Sequence, residues 1–335
     1  LRVLAQAAGF AHDRWTLVTG LEPVTGGEAV YAAWTGFYTF PYPIVVNGCI
    51  STGLGNLGAP FAPPATPVVV SDGAPPNLQW QNGYPGVGPN GELYVSFLDI
   101  PAGAGPAPAT IFFDVDPDGL WDATNGFGVD AAVAVSNVGW KTFMPPQPQR
   151  GYGANPQIVA VRAGPNAGRI VLCYTDEQPD DQSPQFSGSP TPNSNTLVVV
   201  RISDDQGLTW GPPIAVHADT PEHQFMHWLA ADPLTGRLYV SWYDCREDPT
   251  SVLTRRSCAS SPDGILWTQH LWVAQGRSDA SAPAAPLGDD YLEYCWTEVV
   301  GGVGYHAWTD FSNFTGDNPD GTSRSDVFVS VFQQR

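Results

Sequence analysis

The eight residues Ser203-Asp204-Asp205-Gln206-Gly207-Leu208-Thr209-Trp210 constrain the fold more than any other stretch of the chain. They follow an apolar run, Leu197-Val198-Val199-Val200-Arg201-Ile202, that reads as a strand. Ser and Asp side chains bond back onto nearby backbone N–H groups and set a tight turn. Gly207 supplies the positive φ that such a turn needs. Trp210 then opens a return strand, and its ring can fold over the hairpin.

Weaker copies recur. Ser260-Ser261-Pro262-Asp263-Gly264-Ile265-Leu266-Trp267 keeps Asp263, Gly264 and Trp267. Asp114-Val115-Asp116-Pro117-Asp118-Gly119-Leu120-Trp121 keeps the Asp-Gly turn and a Trp, and Ser51-Thr52-Gly53-Leu54-Gly55 keeps only a Ser and glycines. A second pattern has the same period. Segments Ala29–Gly36, Leu93–Asp99, Ile170–Asp176, Leu238–Asp244 and Val303–Asp310 are apolar strands carrying an aromatic near their end, followed in four of them by an acid. The aromatics Trp34, Phe97, Tyr174, Trp242 and Trp308 lie 63 to 77 residues apart. A glycine-containing turn precedes each segment. Such spacing, with three to four strands per unit, predicts a radial repeat.

The pattern S-x-D-x-G-x-T-W, carried by Ser203, Asp205, Gly207, Thr209 and Trp210, resembles the Asp-box (BNR repeat) of sialidase-type β-propellers. The closest pattern is that of secreted repeat proteins of unassigned activity. The expected fold is therefore an all-β propeller in a single domain over residues 1–335. The repeat units fall at about 8–77, 78–140, 141–218, 219–276 and 277–335 plus 1–7. Five blades are counted, and a degenerate sixth would lie in the 77-residue interval around Pro145-Pro146-Gln147-Pro148. Pairing of Leu1–Ala7 with Asp326–Phe332 would close the ring and hide both sheet edges.

Bulk composition fits this reading. Gly 36, Pro 33, Trp 12 and Tyr 12 supply turns and aromatics, while charged residues are only 14% of 335. No helical periodicity of any length is present. The net charge of −19 argues against nucleic acid and anionic membranes as partners. The five cysteines form no C-x-x-C pair, and Cys245 and Cys258 are candidates to pair across a hairpin. No membrane-spanning stretch is visible, and Asn313-Phe314-Thr315 is a glycosylation sequon. The expected location is extracellular, or on a cell or particle surface, with any leader not present in the chain.

In a propeller the innermost strands line a central channel, and the resemblance puts the Asp-boxes on the opposite, outer edge. The inner segments hold Asp13, Arg14, Trp15, Trp80, Tyr84, Asn155, His223, Trp228 and Asp290. Such residues stack on sugar rings and bond to hydroxyls. Sialidases hold a substrate carboxylate with three arginines and use a Tyr nucleophile with carboxylate partners. The resemblance thus implies Tyr291, Glu293 and Asp13 as catalytic candidates, with Arg14 and Arg246 as carboxylate ligands and Arg150 or Arg277 as a third. The arginine context departs from the family pattern, so the first expectation is a glycan- or protein-binding propeller without catalysis. The alternatives are a sialidase-type glycoside hydrolase and a structural module of a larger particle or filament. No cofactor is expected, although Asp114–Asp118 and Asp317–Asp320 offer oxygen ligands suited to Ca²⁺. His223 and His227, four apart on a strand, are too distant for one zinc.

Overall fold

The computed structural model describes residues 11–37, 41–53, 56–63, 66–73, 79–100, 107–122, 126–140, 142–177, 195–218, 222–280, 290–291, 294–312 and 326–333. These form five consecutive antiparallel sheets. Blade 1 is β1 (Ala11–Leu21), β2 (Glu28–Phe37), β3 (Ile44–Ser51) and β4 (Leu57–Pro60), with β5 (Val68–Val69) also pairing on β3. Blade 2 is β6 (Gln79–Val87), β7 (Leu93–Ile100), β8 (Ala107–Asp116) and β9 (Ala131–Trp140). The 77-residue interval holds a two-stranded hairpin, β10 (Thr142–Met144) and β11 (Gln147–Tyr152), in place of a sixth blade. Blade 3 is β12 (Gln157–Ala160), β13 (Ile170–Glu177), β14 (Thr196–Ser203) and β15 (Ile214–Ala215). Blade 4 is β16 (Gln224–Ala231), β17 (Leu238–Asp244), β18 (Arg255–Ser261) and β19 (Leu271–Trp272). Blade 5 is β20 (Trp296–Val300), β21 (Val303–Asp310) and β22 (Asp326–Gln333). The fold is a five-bladed β-propeller.

The five aligned segments are the second strands β2, β7, β13, β17 and β21. All eight residues of β7 and all seven of β17 are buried, because these second strands are covered on both faces by neighbouring blades, whereas β21 in blade 5 keeps Tyr305 exposed. That explains their continuous apolar runs, which in a one-sided sheet would alternate. The aromatic-then-acid signature also has a cause. The indole N–H of Trp242 donates to Asp244 Oδ2 at 2.7 Å, and that of Trp308 to Asp310 Oδ2 at 2.8 Å. Residues i and i+2 share one face of a strand, so the acid satisfies a buried indole.

The blades are joined by apolar clusters. One spans blades 1 and 2 through Tyr31, Trp80, Phe97 and Phe112. Others join blade 2 to 3 (Tyr94, Ile111, Tyr174), 3 to 4 (Val171, Val200, Trp242) and 4 to 5 (Tyr243, Tyr291, Trp308). The Ser203–Trp210 turn belongs to this packing. Ser203 Oγ accepts the Gly207 N–H at 2.8 Å, and Asp205 Oδ1 accepts the Thr209 N–H at 2.9 Å. Gly207 has φ +90°, and a Cβ there would lie 2.2 Å from the Phe113 ring of blade 2. Trp210 packs edge-on against the same ring at 5.5 Å. The Asp263 turn repeats the scheme, with Ser261 Oγ accepting the Gly264 N–H at 2.8 Å. Arg169 bonds Asp204 through two nitrogens, at 2.7 and 2.9 Å, and the Asp263 carbonyl at 2.6 Å, clamping both turns.

All five cysteines are buried, and Cys173, Cys245, Cys258 and Cys295 are free thiols. Cys258 lies opposite Ser241 in the β17–β18 register, while Cys245 follows the end of β17. Four residues of strand rise separate Ser241 from Cys245, about 13 Å, so the anticipated Cys245–Cys258 bridge does not form. The expected closing strand Leu1–Ala7, the Asn313 sequon and the Asp317–Asp320 loop lie outside the described residues. The Asp114–Asp118 carboxylates cap their own turn, with Asp114 Oδ1 accepting Val115 and Gly128 N–H groups and Asp116 Oδ1 accepting that of Asp118. Among the described residues no three His, Cys, Asp or Glu side chains converge as metal ligands. No helix of the described residues is long and apolar enough to cross a membrane.

Candidate functional site

The inner strands β1, β6, β12, β16 and β20 surround a central channel of about 350 Å³. Three of them bend at the same level. The register slips between Asp13 and Thr16 in β1, between Gln81 and Tyr84 in β6, and between Phe225 and Trp228 in β16. The bulged residues Arg14, Asn82 and Met226 have φ of 57°, 61° and 49°. Asn155, just ahead of β12, matches them at 50°. A bulge with one left-handed residue bends a strand and re-aims the side chains that follow. Asn tolerates that conformation, whereas Arg and Met adopt it against a steric cost, a form of strain that clusters at functional sites.

The re-aimed side chains meet at the channel mouth. Thr16, Tyr84, Trp228 and Trp296 line both the channel and an adjoining cavity of about 330 Å³. Trp228 and Trp296 lie ring to ring at 4.1 Å, and Tyr84 meets Trp228 edge-on at 6.0 Å. Tyr84 donates to Asn155 Oδ1 at 2.7 Å, and Arg14 Nη1 approaches the same oxygen at 3.4 Å. Burial pushes the Tyr84 phenol up to about 12, so it stays a neutral donor. Asp13 accepts from the Tyr294 hydroxyl at 3.2 Å and from the Arg14 N–H at 2.8 Å. The Met226 bulge is held from behind. Arg256, fully buried, donates to the Met226 carbonyl and to Ser241 Oγ, both at 2.8 Å, with its guanidinium 4.8 Å over the Tyr243 ring.

Of the residues singled out in sequence, Arg14, Tyr84 and Trp228 line the mouth, with Asp13 and Asn155 bonded beside it, while Trp15 lines the part of the adjoining cavity that faces β20–β22. Others lie elsewhere. Trp80 is buried between blades 1 and 2, edge-on to Phe97 and Phe112. His223 is buried beside Thr196. Asp290 accepts the Gln149 and Arg150 N–H groups, tying blade 5 to the β10–β11 hairpin. Arg246 is held by Asp244 at 2.6 Å and His270 at 2.9 Å, and Arg277 donates to the Glu247 carbonyl. Tyr291 is fully buried, donating to the Ser278 carbonyl and accepting from Thr254. Burial drives its phenol far above the ordinary value. Glu293 lies outside the described residues. Trp296, Tyr294 and Gln157 were missed. Trp296 stands one repeat after Trp228, so superposing the inner segments would have found it.

No family model matches the chain, and no curated protein matches it in sequence. Solved structures match its fold. A protein of unknown function from Dyadobacter fermentans is 12% identical, with 100% of this chain and 98% of that one covered, at a TM-score of 0.50. A Hadza microbial sialidase is 12% identical at a TM-score of 0.50, over 91% of this chain and 54% of its own. The chain thus spans about half the length of that sialidase. A levansucrase from B. megaterium is 10% identical, with 100% and 89% covered, at 0.50. The likeness is one of fold, a β-propeller.

Proposed function

We propose that this protein recognises a neutral saccharide at the mouth of its channel and does not hydrolyse it. The observation that carries the reading is the Trp228–Trp296 pair at 4.1 Å, flanked by the Tyr84–Asn155–Arg14 hydrogen-bonding group. A sugar ring is amphipathic in the same way, with an apolar C–H face that packs on aromatic rings and hydroxyls that take directed hydrogen bonds.

Two arguments favour binding over sialidase chemistry. Glycoside hydrolysis needs two carboxylates, or a nucleophile with a carboxylate, facing the scissile bond. Among the described residues Asp13 is the carboxylate bonded beside the mouth, Glu298 lines the channel but not the adjoining cavity, and the positions that match Arg14 in blades 2 and 3 hold the amides Asn82 and Asn155. Carboxylate capture by an arginine triad is also unsupported, since Arg246 and Arg277 are engaged away from the mouth. The net charge of −19 further disfavours anionic glycans by long-range repulsion. A neutral polysaccharide partner outside the cell, or on a cell or particle surface, fits this acidic chain.

Calorimetric titration with xylo-, arabino-, galacto- and gluco-oligosaccharides, beside sialyllactose, tests the proposal. At least one neutral series binds, with an affinity insensitive to salt, and Trp228→Ala weakens it about tenfold or more. Turnover of a fluorogenic sialoside that Tyr291→Phe abolishes would replace the proposal with the hydrolase reading. Absence of binding to every neutral series defeats it.

A further inference from the structure

We infer that the cleft between blades 5 and 1 is a second sugar subsite, so that the ligand is a chain of two or more residues turning from the channel mouth into the cleft. The inference rests on the mouth being a saccharide site. Its starting point is an asymmetry of the ring. Four interfaces between neighbouring blades are filled by apolar clusters. Among the described residues the fifth has none across it. Beside the cluster it shares with blade 2, blade 1 has a small group of its own, Ala32, Trp34 and Val45, and the 330 Å³ cavity opens between β1 and the β20–β22 sheet. That volume lies at the lower end of small-molecule sites, about 300–1,000 Å³.

The cleft is built rather than merely open. Trp15 lies stacked on Trp34 with ring centroids 4.2 Å apart and planes 18° apart. His12 meets both rings edge-on, at 5.6 and 5.9 Å. The indole is thus held in place while 39% of Trp15 stays exposed, and a ligand stacking on it would order little further. Across from it the lining includes Ala307 and the edge of Trp308, which is otherwise buried in the blade 4–5 cluster and has its N–H taken by Asp310. The rim is polar, with the exposed Tyr294 hydroxyl bonded to Asp13 at 3.2 Å. Flat aromatic walls with hydroxyl-scale partners at the edge match a pyranose or furanose ring. A lipid chain would fill the walls but not the polar channel, lined by Gln157 and Thr297, into which the cleft runs.

The test uses the four neutral oligosaccharide series at lengths of one to four sugars, titrated against the full chain. Affinity in the binding series rises about tenfold from the monosaccharide to longer members, the scale of one added stacking contact. Trp15→Ala removes that increment and leaves monosaccharide affinity unchanged, while Trp15→Phe retains part of it. Ala307→Trp, which fills the cleft from β21, also removes it. Thermal melts verify that each variant folds. Affinity independent of length, or a Trp15→Ala loss equal at every length, overturns the subsite and leaves the mouth reading standing. Failure of every series at every length overturns both.

Discussion

His227 makes the wall of the site acid-sensitive. It sits one residue before Trp228 and is fully buried against blade 3. Its Nε2 lies 3.2 Å from the Cys173 carbonyl, which only accepts, so Nε2 carries the proton. Nδ1 then accepts the Thr175 hydroxyl at 3.1 Å. Burial, and after it the nearby Arg256 charge, lowers the imidazole to about 3. In the unfolded chain it titrates near its ordinary value of about 6.5. Below pH 6.5 the unfolded state therefore binds the extra proton and the native state does not, so stability falls as the pH drops and the fall ends only near the folded value. At pH 7 the contribution is a few tenths of a kcal/mol or less. At pH 5 it reaches about 2 kcal/mol, from 1.36 kcal/mol for each pH unit between the two titrations. The assay is urea unfolding of the wild type and His227→Gln at pH 7 and pH 5. The substitution has a constant cost that cancels in the comparison, as do all other titrating groups. The wild type should lose about 2 kcal/mol more than the variant between the two pH values. Parallel pH profiles would refute the argument, because they would mean that His227 is protonated inside the fold or is not buried there.

Two further outcomes follow from the same structure. Ser203→Ala leaves the buried Gly207 N–H without its acceptor and should cost about 1–3 kcal/mol in urea unfolding, a value near zero showing that the turn is held by Asp205 alone. Asp130 is raised to about 7 by burial and by the neighbouring Asp72 and Asp114 carboxylates, so the native state holds more protons than the unfolded one between about pH 4 and 7, and stability rises as the pH falls through that window. Asp130→Asn should accordingly raise the melting temperature at pH 8, raise it less at pH 5 and lose the advantage only below about pH 4, and an equal effect at pH 8 and pH 5 would contradict it.

The ring of blades was legible because its signals come from residues with no alternative environment. A strand buried on both faces, such as Leu238–Asp244, must be apolar except where a polar side chain has a buried partner, and its Trp242 needs Asp244 two residues on. The site was legible only in part. Arg14, Tyr84 and Trp228 were found because polar and aromatic residues on inner strands are conspicuous. Tyr291 and Arg246 were misleading for a physical reason. A tyrosine and an arginine beside acids look alike whether they face a ligand or satisfy their neighbours. Here Thr254 and Ser278 take the phenol, while Asp244 takes the guanidinium. The bulges at Arg14 and Met226 carry no sequence mark at all, because left-handed backbone is expected of Gly or Asn.

The position of the site follows from how a radial repeat distributes its constraints. Each blade contacts only its neighbours, so an interface between two of them is set by those two alone. Four interfaces here are filled, and a side chain that opened any of them would cost a cavity in the core. The junction of blades 5 and 1 joins the beginning of the chain to its end, and its residues Asp13 and Tyr294 come from opposite ends of the sequence. It can hold exposed Trp15 and an open cleft without loosening the other four. The strained backbone at Arg14 lies on the same strand. A left-handed arginine, an exposed yet clamped tryptophan and an interface that no apolar cluster of the described residues spans are each unfavourable for folding alone. Their coincidence at one seam is what a binding site demands and what packing by itself would have removed.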